Sequence, residues 1–472
     1  MQRLLANKLV VIVLLTIAFL IAFSYIRVIL HERQASQGQV MRDIAASHVG
    51  PQALLGPVLL VPVTETRDCS GDNDKSPRTC RSTTLAVLTP EKSEWKNQVA
   101  VTDKAYRRGI YQAVTWQDTV SVEGSFRIDV TSLKLNANQT ADWSAAQFRV
   151  YTADLRGLLR QPVLEAGGRQ HSFRFPDEAD NSALAAGYTV LPLSGVAEPG
   201  GVLPFRLTLA LKGMERLQII PLGGDMTVHM QADWPHPMFH GASLPDKQLR
   251  RDGFDAHWQN TYLSSRNTQL VGACLRLRDT KACAPFNSLL SPDYAGVRQP
   301  YAVGAESAAG AAFAVNFIRP VDVYLMSDRA MKYALLFLVI TFGAFFLFEV
   351  LQDLRIHPMQ YTLVGTALAV FYLLLLSFSE HIDFAMAYLV SGIACIGLIV
   401  FYVSHVLQGL GRALGLGGLL ALMYGTLFVI LQSEDFTLML GSVLVFLLLA
   451  TVMTLTRRIN WYGAEEATPA AP

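Results

Sequence analysis

The chain of 472 residues lacks an excess of either charge, with 39 Lys and Arg against 38 Asp and Glu and a net charge of +1. Nothing basic is present to hold a polyanionic backbone, which excludes nucleic acid as the main partner, and no acidic tract signals a disordered tail. Charge of both signs is scarce, 16% of residues, while hydrophobic residues make up 51% and mean hydropathy is +0.30. Soluble domains carry about a quarter charged residues, so apolar surface is concentrated somewhere in this chain. Short chemical motifs are missing too: there is no G-x-x-x-x-G-K-[ST], no H-E-x-x-H and no G-x-S-x-G. That removes the simplest signs of nucleotide hydrolysis, zincin proteolysis and α/β-hydrolase chemistry. Ser93-Glu94-Trp95-Lys96 matches S-x-x-K, but the S-D-N and K-T-G partners of that pattern are absent.

What is present is unevenly placed. Residues 9–26 hold no ionisable group except the Tyr25 phenol, and such a run makes roughly 27 Å of helix, enough for a bilayer core. A secretory signal peptide is the rival reading, because Arg3 and Lys8 precede the run and Ala22-Phe23-Ser24 resembles a cleavage triplet. The run exceeds the usual signal core of about 7 to 15 residues, which favours an uncleaved anchor. No comparable run follows until residues 333–348, 361–378, 384–403, 413–431 and 436–455. Short linkers force these five to alternate in direction, and each satisfies its own backbone polar groups only as a helix.

Lys and Arg in the short connections orient the spans. With the N-terminus cytoplasmic, the inside holds Arg3, Lys8, Arg355, Arg412, Arg457 and Arg458, while the outer turns 379–383 and 432–435 hold none. Arg329 and Lys332 fall on the other side, but they end a long translocated segment, where the rule has little force. Both termini are therefore expected in the cytoplasm and residues 31–331 outside.

That exported segment reads as β structure. Residues 58–63, 83–88, 114–130, 147–151, 203–211, 217–221, 226–231 and 312–318 are the expected strands, with strict alternation in 205–209 and 228–232. Few stretches show helical periodicity apart from residues 32–48, taken as a stalk leaving the anchor. One large sandwich or two smaller ones would fit, with a seam near 195–203. Of five cysteines, Cys395 lies in a span and the rest form two close pairs, Cys69 with Cys80 and Cys274 with Cys283. An exported compartment oxidises such pairs, and polar loops such as 70–79 are what short disulfides close; zinc is disfavoured because neither pair has C-x-x-C spacing.

The densest group of metal-ligand types is His229, His236, His240 and His257 with Asp233 and Asp246. Pro235 and Pro237 break any helix that would align them, so they are expected as surface and turn residues. Asp72-Asn73-Asp74 lacks the rest of a calcium loop and reads as a solvated tip. Inside the spans no charge sits at mid-depth, which argues against an ion-coupled transporter. Glu349 alone looks embedded, on one helix face with Phe342 and Phe346, and is expected to snorkel toward the cytoplasmic interface near Arg355. The aromatics of the second span read as helix packing. Glu380, His381, Asp383, Glu434 and Asp435 share the outer rim as a candidate site, although acidic outer turns also follow from the positive-inside asymmetry alone.

Several strings carry a family resemblance: GPVLLVP from Gly56, FHGASLP from Phe239, KYALLF from Lys332, FFLFE from Phe345, IHPMQYTLVG from Ile356, FYLLLLSFSEHI from Phe371 and LQSEDFTLMLGS from Leu431. With the order of anchor, exported β region and five spans, the chain resembles the CreD family of inner-membrane cell-envelope integrity proteins, close to full length and most strongly over 332–462. The resemblance implies a Gram-negative inner-membrane protein made under a two-component system and linked to envelope integrity and tolerance of envelope stress. It supplies no catalytic residues, and the two cysteine loops are outside its pattern.

The expected architecture is a six-span α-helical transmembrane bundle with a large exported all-β, sandwich-like domain. Its parts are a cytoplasmic start at 1–8, an anchor at 9–30, a periplasmic β-rich domain with a stalk helix at 31–331, a five-helix bundle at 332–456 and a cytoplasmic tail at 457–472. The expected role is a non-enzymatic inner-membrane protein whose periplasmic domain binds an envelope protein, peptidoglycan or lipid, without cofactor, metal or nucleic acid and of open oligomeric state. A transporter or flippase, and a membrane-bound enzyme acting on envelope polymers through the outer carboxylates, are the alternatives.

Overall fold

The computed structural model describes residues 2–69, 79–133, 135–177, 182–184, 187–193, 200–241, 243–277, 279–290, 312–317, 323–351, 356–406, 409–432 and 437–456. By contacts the chain divides into Met1–Ser36 with Val321–Pro472, and Gln37–Pro320.

In the first unit, the helix α1 (Gln2–Ser47) begins the chain as one continuous element, so the expected anchor and stalk are not separate helices. Its residues Phe19, Phe23, Ile26 and Leu30 are buried at i, i+4, i+7 and i+11, the spacing of one helix face. Phe19 meets Phe342 and Phe23 meets Tyr372 edge to face. A Cβ on Gly365 would collide with the Phe19 ring, which would have to shift to admit it. After the β unit come α4 (Val323–Lys332), α5 (Ala334–Leu351), α6 (Pro358–Ser379), α7 (Phe384–Val406), α8 (Leu410–Gln432) and α9 (Thr437–Thr456). The helices α4 and α5 meet at a 42° bend. Among the described residues four helices are long and apolar enough to cross a membrane, or five if the bent pair is one span. Their outward faces are as apolar as their inward ones, with Leu389, Ile393, Phe401 and Leu422 exposed. A helix apolar all round fits a hydrocarbon surrounding rather than water.

By contacts the division falls at 36/37 and 320/321. One reason is α4: its Met326, Ala330 and Met331 belong to the bundle's hydrophobic cluster. The other is the last part of α1, whose Met41, Ile44 and Ala45 are buried with Ala113 and Met214 of the second unit.

That second unit holds β1 (Gln52–Asp68), β2 (Thr79–Leu88), β3 (Lys92–Arg108), β4 (Tyr111–Arg127), β5 (Gln139–Ala141), β6 (Gln147–Thr152), β7 (Val163–Ala166) and β8 (Arg169–Ser172). It continues with β9 (Gly187–Pro192), β10 (Val202–Met214), β11 (Arg216–Ile220), β12 (Asp225–Ala232), β13 (Pro237–Gly241), β14 (Asp246–Leu249) and β15 (Phe254–Asn260). Two helices, α2 (Asn267–Leu277) and α3 (Thr280–Leu290), precede β16 (Phe313–Phe317). Among the described residues the strands form two mixed eight-stranded sheets. The first runs β13-β16-β11-β1-β6-β9, with β2 and β5 also on β1; the second runs β14-β15-β12-β3-β4-β10-β7-β8.

Both sheets feed one hydrophobic cluster, including Phe148 and Phe317 from the first and Trp116, Phe126 and Trp258 from the second. The other face of the first sheet is covered by α2 and α3, whose Val271, Leu275, Phe286 and Leu290 join Leu55, Leu60 and Tyr151. These two helices add to the one helical stretch singled out from the sequence here, residues 32–48. They also correct the setting of one cysteine pair: Cys274–Cys283 joins α2 to α3 inside that cluster rather than closing a polar loop. Cys69–Cys80 joins the end of β1 to the start of β2. In the GPVLLVP string, Gly56 has φ +107° and a Cβ there would sit 2.9 Å from the Arg149 carbonyl oxygen. The register between β1 and β6 shifts at this point. Glycine supplies the backbone freedom for that irregularity, after which β1 goes on to pair with β2.

Candidate functional site

Of the five residues expected at an outer rim, the structure describes Glu380, His381 and Asp383. Glu380 follows the last turn of α6 and is nearly buried; its carboxylate accepts a hydrogen bond from the Tyr324 hydroxyl at 3.0 Å and faces the Arg33 guanidinium at 3.8 Å. One carboxylate thus ties α1, α4 and α6. Nearby in sequence to Tyr324, Asp328 takes Lys332 at 3.0 Å and Arg27 at 4.0 Å. Asp383 accepts from the Ala385 amide at the start of α7 (3.1 Å), and His381 Nδ1 lies 3.1 Å from the Ser377 carbonyl oxygen. Glu434 and Asp435 lie outside the described residues, as do Arg355, Arg457, Arg458 and Asp72-Asn73-Asp74. Of the described members, Glu380 connects helices, while Asp383 and His381 bond only to backbone within four residues of themselves.

Glu349 lies two residues before the end of α5 and is held inside the protein. Its side chain is buried and accepts from the Tyr361 hydroxyl (3.1 Å) and the Ile356 amide (3.3 Å), which fastens α5 to the start of α6. Deeper in the bundle is an uncharged polar group that sequence reading missed. The Tyr388 hydroxyl donates to the Tyr424 carbonyl at 2.8 Å, and the Tyr424 hydroxyl lies 3.6 Å from Cys395 Sγ. Their spacing in sequence is ordinary for aromatic packing, so only the fold reveals them as neighbours.

In the β unit the S-x-x-K string is taken apart by strand alternation: Ser93 is buried on β3, while Lys96 is outward and paired with Glu94 at 3.0 Å. Inside the core, Asn97 Nδ2 donates to Asp118 Oδ2 at 2.6 Å. Burial pushes the Asp118 carboxyl up to about 7 against the lowering effect of the Asn97 and Gln98 hydrogen bonds.

The histidine group divides as well. His240 lies on β13 in the first sheet, and His236 lies just before that strand, its carbonyl accepting from Trp234 Nε1 at 3.1 Å. Asp233 accepts from the Val101 amide at 2.6 Å. Pairing of β12 with β15 sets His229 directly opposite His257, and pairing of β14 with β15 sets Asp246 opposite His257. All three are on the outward face, since Val228, Met230, Ala256 and Trp258 between them are buried. His229 Nε2 is 2.9 Å from Asp255 Oδ1. A groove of about 510 Å³ lies along this row, lined by His229, Asp246, Lys247, Gln248, Asp255 and His257. A second, of about 530 Å³, lies along the same strands near Gln98, Gln231, Arg250 and Phe254. Both are open surface features, the first mainly polar and the second of mixed polar and apolar lining.

Among known proteins, the chain is 31% identical to the inner membrane protein CreD of Escherichia coli (strain K12) over 462 residues, which is 94% of this chain and 91% of that one. Among solved structures it is similar to an M1 zinc metallopeptidase from Deinococcus radiodurans, with a Tyr-Ser-Ala substrate bound, at TM-score 0.20 and 11% identity over 36% of this chain and 39% of that one. The same metallopeptidase in another crystal gives TM-score 0.19, 11% identity and 36% and 38% coverage. Similarity at that level carries no argument about fold or chemistry. The family model for the inner membrane protein CreD matches residues 4–462, and on that match the chain belongs to the CreD family.

Proposed function

We propose that this chain is a non-enzymatic inner-membrane protein that supports cell-envelope integrity and tolerance of envelope stress by presenting its β unit to an envelope component in the periplasm. Six spans, counting the bent α4–α5 pair and α9, would hold both termini in the cytoplasm, and the two sheets would face each other as a sandwich. The asymmetry of Lys and Arg supports that orientation, and the two disulfides suit an oxidising compartment. The cluster shared by both sheets supports the sandwich. The observation that carries the functional reading is the union of helices apolar on every face with a β unit whose grooves are open and lie on the outer face of one sheet. Such surfaces suit docking better than sequestered chemistry.

A photo-crosslinking residue placed in cells at Gln98 or Gln248, on those grooves, is expected to capture the same protein, glycan or lipid. Placed at Arg81, on β2 of the other sheet, it is expected to capture none of it. Equal capture from all three positions, or loss of stress tolerance from a single outer-rim substitution at normal abundance, would refute the reading in favour of a different surface or of an enzyme.

A further inference from the structure

The register of the second sheet brings together two imidazoles that lie 28 residues apart in sequence. Residues directly opposite on one face of an antiparallel pair have Cβ atoms about 4.5–5.5 Å apart, and the His229 and His257 ring centroids are 6.2 Å apart. Asp255 holds His229 through Nε2 at 2.9 Å and is itself held by Gln231 Nε2 at 2.8 Å and Arg250 at 3.5 Å. A carboxylate on one ring nitrogen fixes the tautomer with its proton there and leaves the lone pair on the other nitrogen. We propose that His229 and His257 form a two-imidazole binding site for a divalent transition-metal ion, with Asp255 as a positioning residue and water in the remaining coordination positions.

The geometry requires little change. Metal–nitrogen bonds of about 2.0–2.1 Å place two coordinating rings with centroids roughly 5–6 Å apart, depending on the angle at the metal. Rotation of two outward side chains closes that difference without moving either strand. The nearby cations are each engaged: Lys96, opposite His229, is paired with Glu94 at 3.0 Å, Arg250 faces Asp255 at 3.5 Å, and the Lys247 ammonium lies over the Phe239 ring at 5.4 Å. Asp246, opposite His257, adds negative charge to the groove. Among the described residues no three His, Cys, Asp or Glu side chains are gathered closely enough to cage an ion. The site is therefore open and suited to an exchangeable ion, not one that holds the fold together. Imidazole ligands favour Cu²⁺ over Ni²⁺ and Zn²⁺ and take Ca²⁺ and Mg²⁺ poorly.

Cu²⁺ alone, titrated into the untagged full chain in detergent and followed by calorimetry and electron paramagnetic resonance, tests the assignment. One ion per chain is expected, with hyperfine structure from two imidazole nitrogens. His229→Gln and His257→Gln should each weaken binding more than tenfold, and Asp255→Asn should weaken it by about tenfold. His236→Gln should leave it unchanged, and Ca²⁺ should not compete. Absence of uptake by the native chain, a spectrum without two imidazoles, or binding by the His229 or His257 variant as tight as that of the native chain would overturn it. The spectrum of the native chain, which counts the coordinating imidazoles directly, decides between these outcomes even if a variant fails to fold.

Discussion

Asp118 shows what a single buried group does to a whole unit. Its carboxyl is raised from 3.8 to about 7 in the folded chain. Between those values the folded state keeps a proton that the unfolded state has released, so this group makes stability fall as pH rises, by about 1.4 kcal/mol per unit, until it levels off above the folded value. In Asp118→Asn that slope should vanish and the β unit should gain stability at pH 8, read by tryptophan fluorescence, to which buried Trp95, Trp116 and Trp258 contribute, during denaturation of the full chain in detergent. An unchanged pH profile would mean that Asp118 is already ionised at pH 5. Glu380 makes a contrast at the same scale. Losing a hydrogen bond to a charged group costs about 1.5–3 kcal/mol, so Tyr324→Phe and Glu380→Gln should lower the thermal midpoint of the bundle. Asp383→Asn keeps a capping side chain and should leave it nearly unchanged. Composition marked Glu380 as acidic and near an outer turn; its union with Arg33 and Tyr324 depends on three helices meeting.

Elements differ in how openly their residues declare them. The alternation of β12, with Met226, Val228 and Met230 inward, is legible because every inward position is apolar. In β3 the inward row includes Ser93 and Asn97, and the pattern is lost even though the strand has 17 residues. The helices α2 and α3 have only 11 residues each, and Pro285 lies inside α3, so neither has a long uninterrupted period. Their cysteines were legible as a pair but not as a helix-to-helix link. Each disulfide closes a short loop and should contribute on the order of 3 kcal/mol by the chain-entropy argument. Replacing Cys274 and Cys283 by Ser should cost more than replacing Cys69 and Cys80, because the former pair leaves two hydroxyls inside a hydrophobic cluster. Comparable melting shifts for the two double variants would contradict that ranking, and non-reducing mass spectrometry should find both links in the native chain.

For the whole molecule, the arrangement in the membrane is the property to test. Alkaline phosphatase fused after Ser291 should be active, and fusions after His357 or Arg458 should be silent. Activity after Arg458 would remove one span from the proposed six and place the C-terminus outside. The separate contact units make a second expectation: substitution of Gly365 by Val should unsettle the packing of α1 on α6, because Phe19 already fills the space of a side chain there. Its effect should be read as lower abundance in the membrane, with both disulfides still formed.

Sequence alone determined the membrane-spanning class, the bias of cationic residues, the β character of the middle segment, the two cysteine pairs and the family. Each of these rests on composition or on neighbours a few residues apart: apolar length, alternation, linker charge and cysteine spacing. Only the tertiary structure decided that His229 meets His257, that Asp118 shares the core with Asn97, that Glu349 bonds Tyr361 and that Glu380 joins three helices. Those facts depend on strand order, register and helix contact, which bring distant residues together through the burial of many others. A shift of one residue in the pairing of β12 with β15 would turn one histidine inward and leave the composition of both strands unchanged.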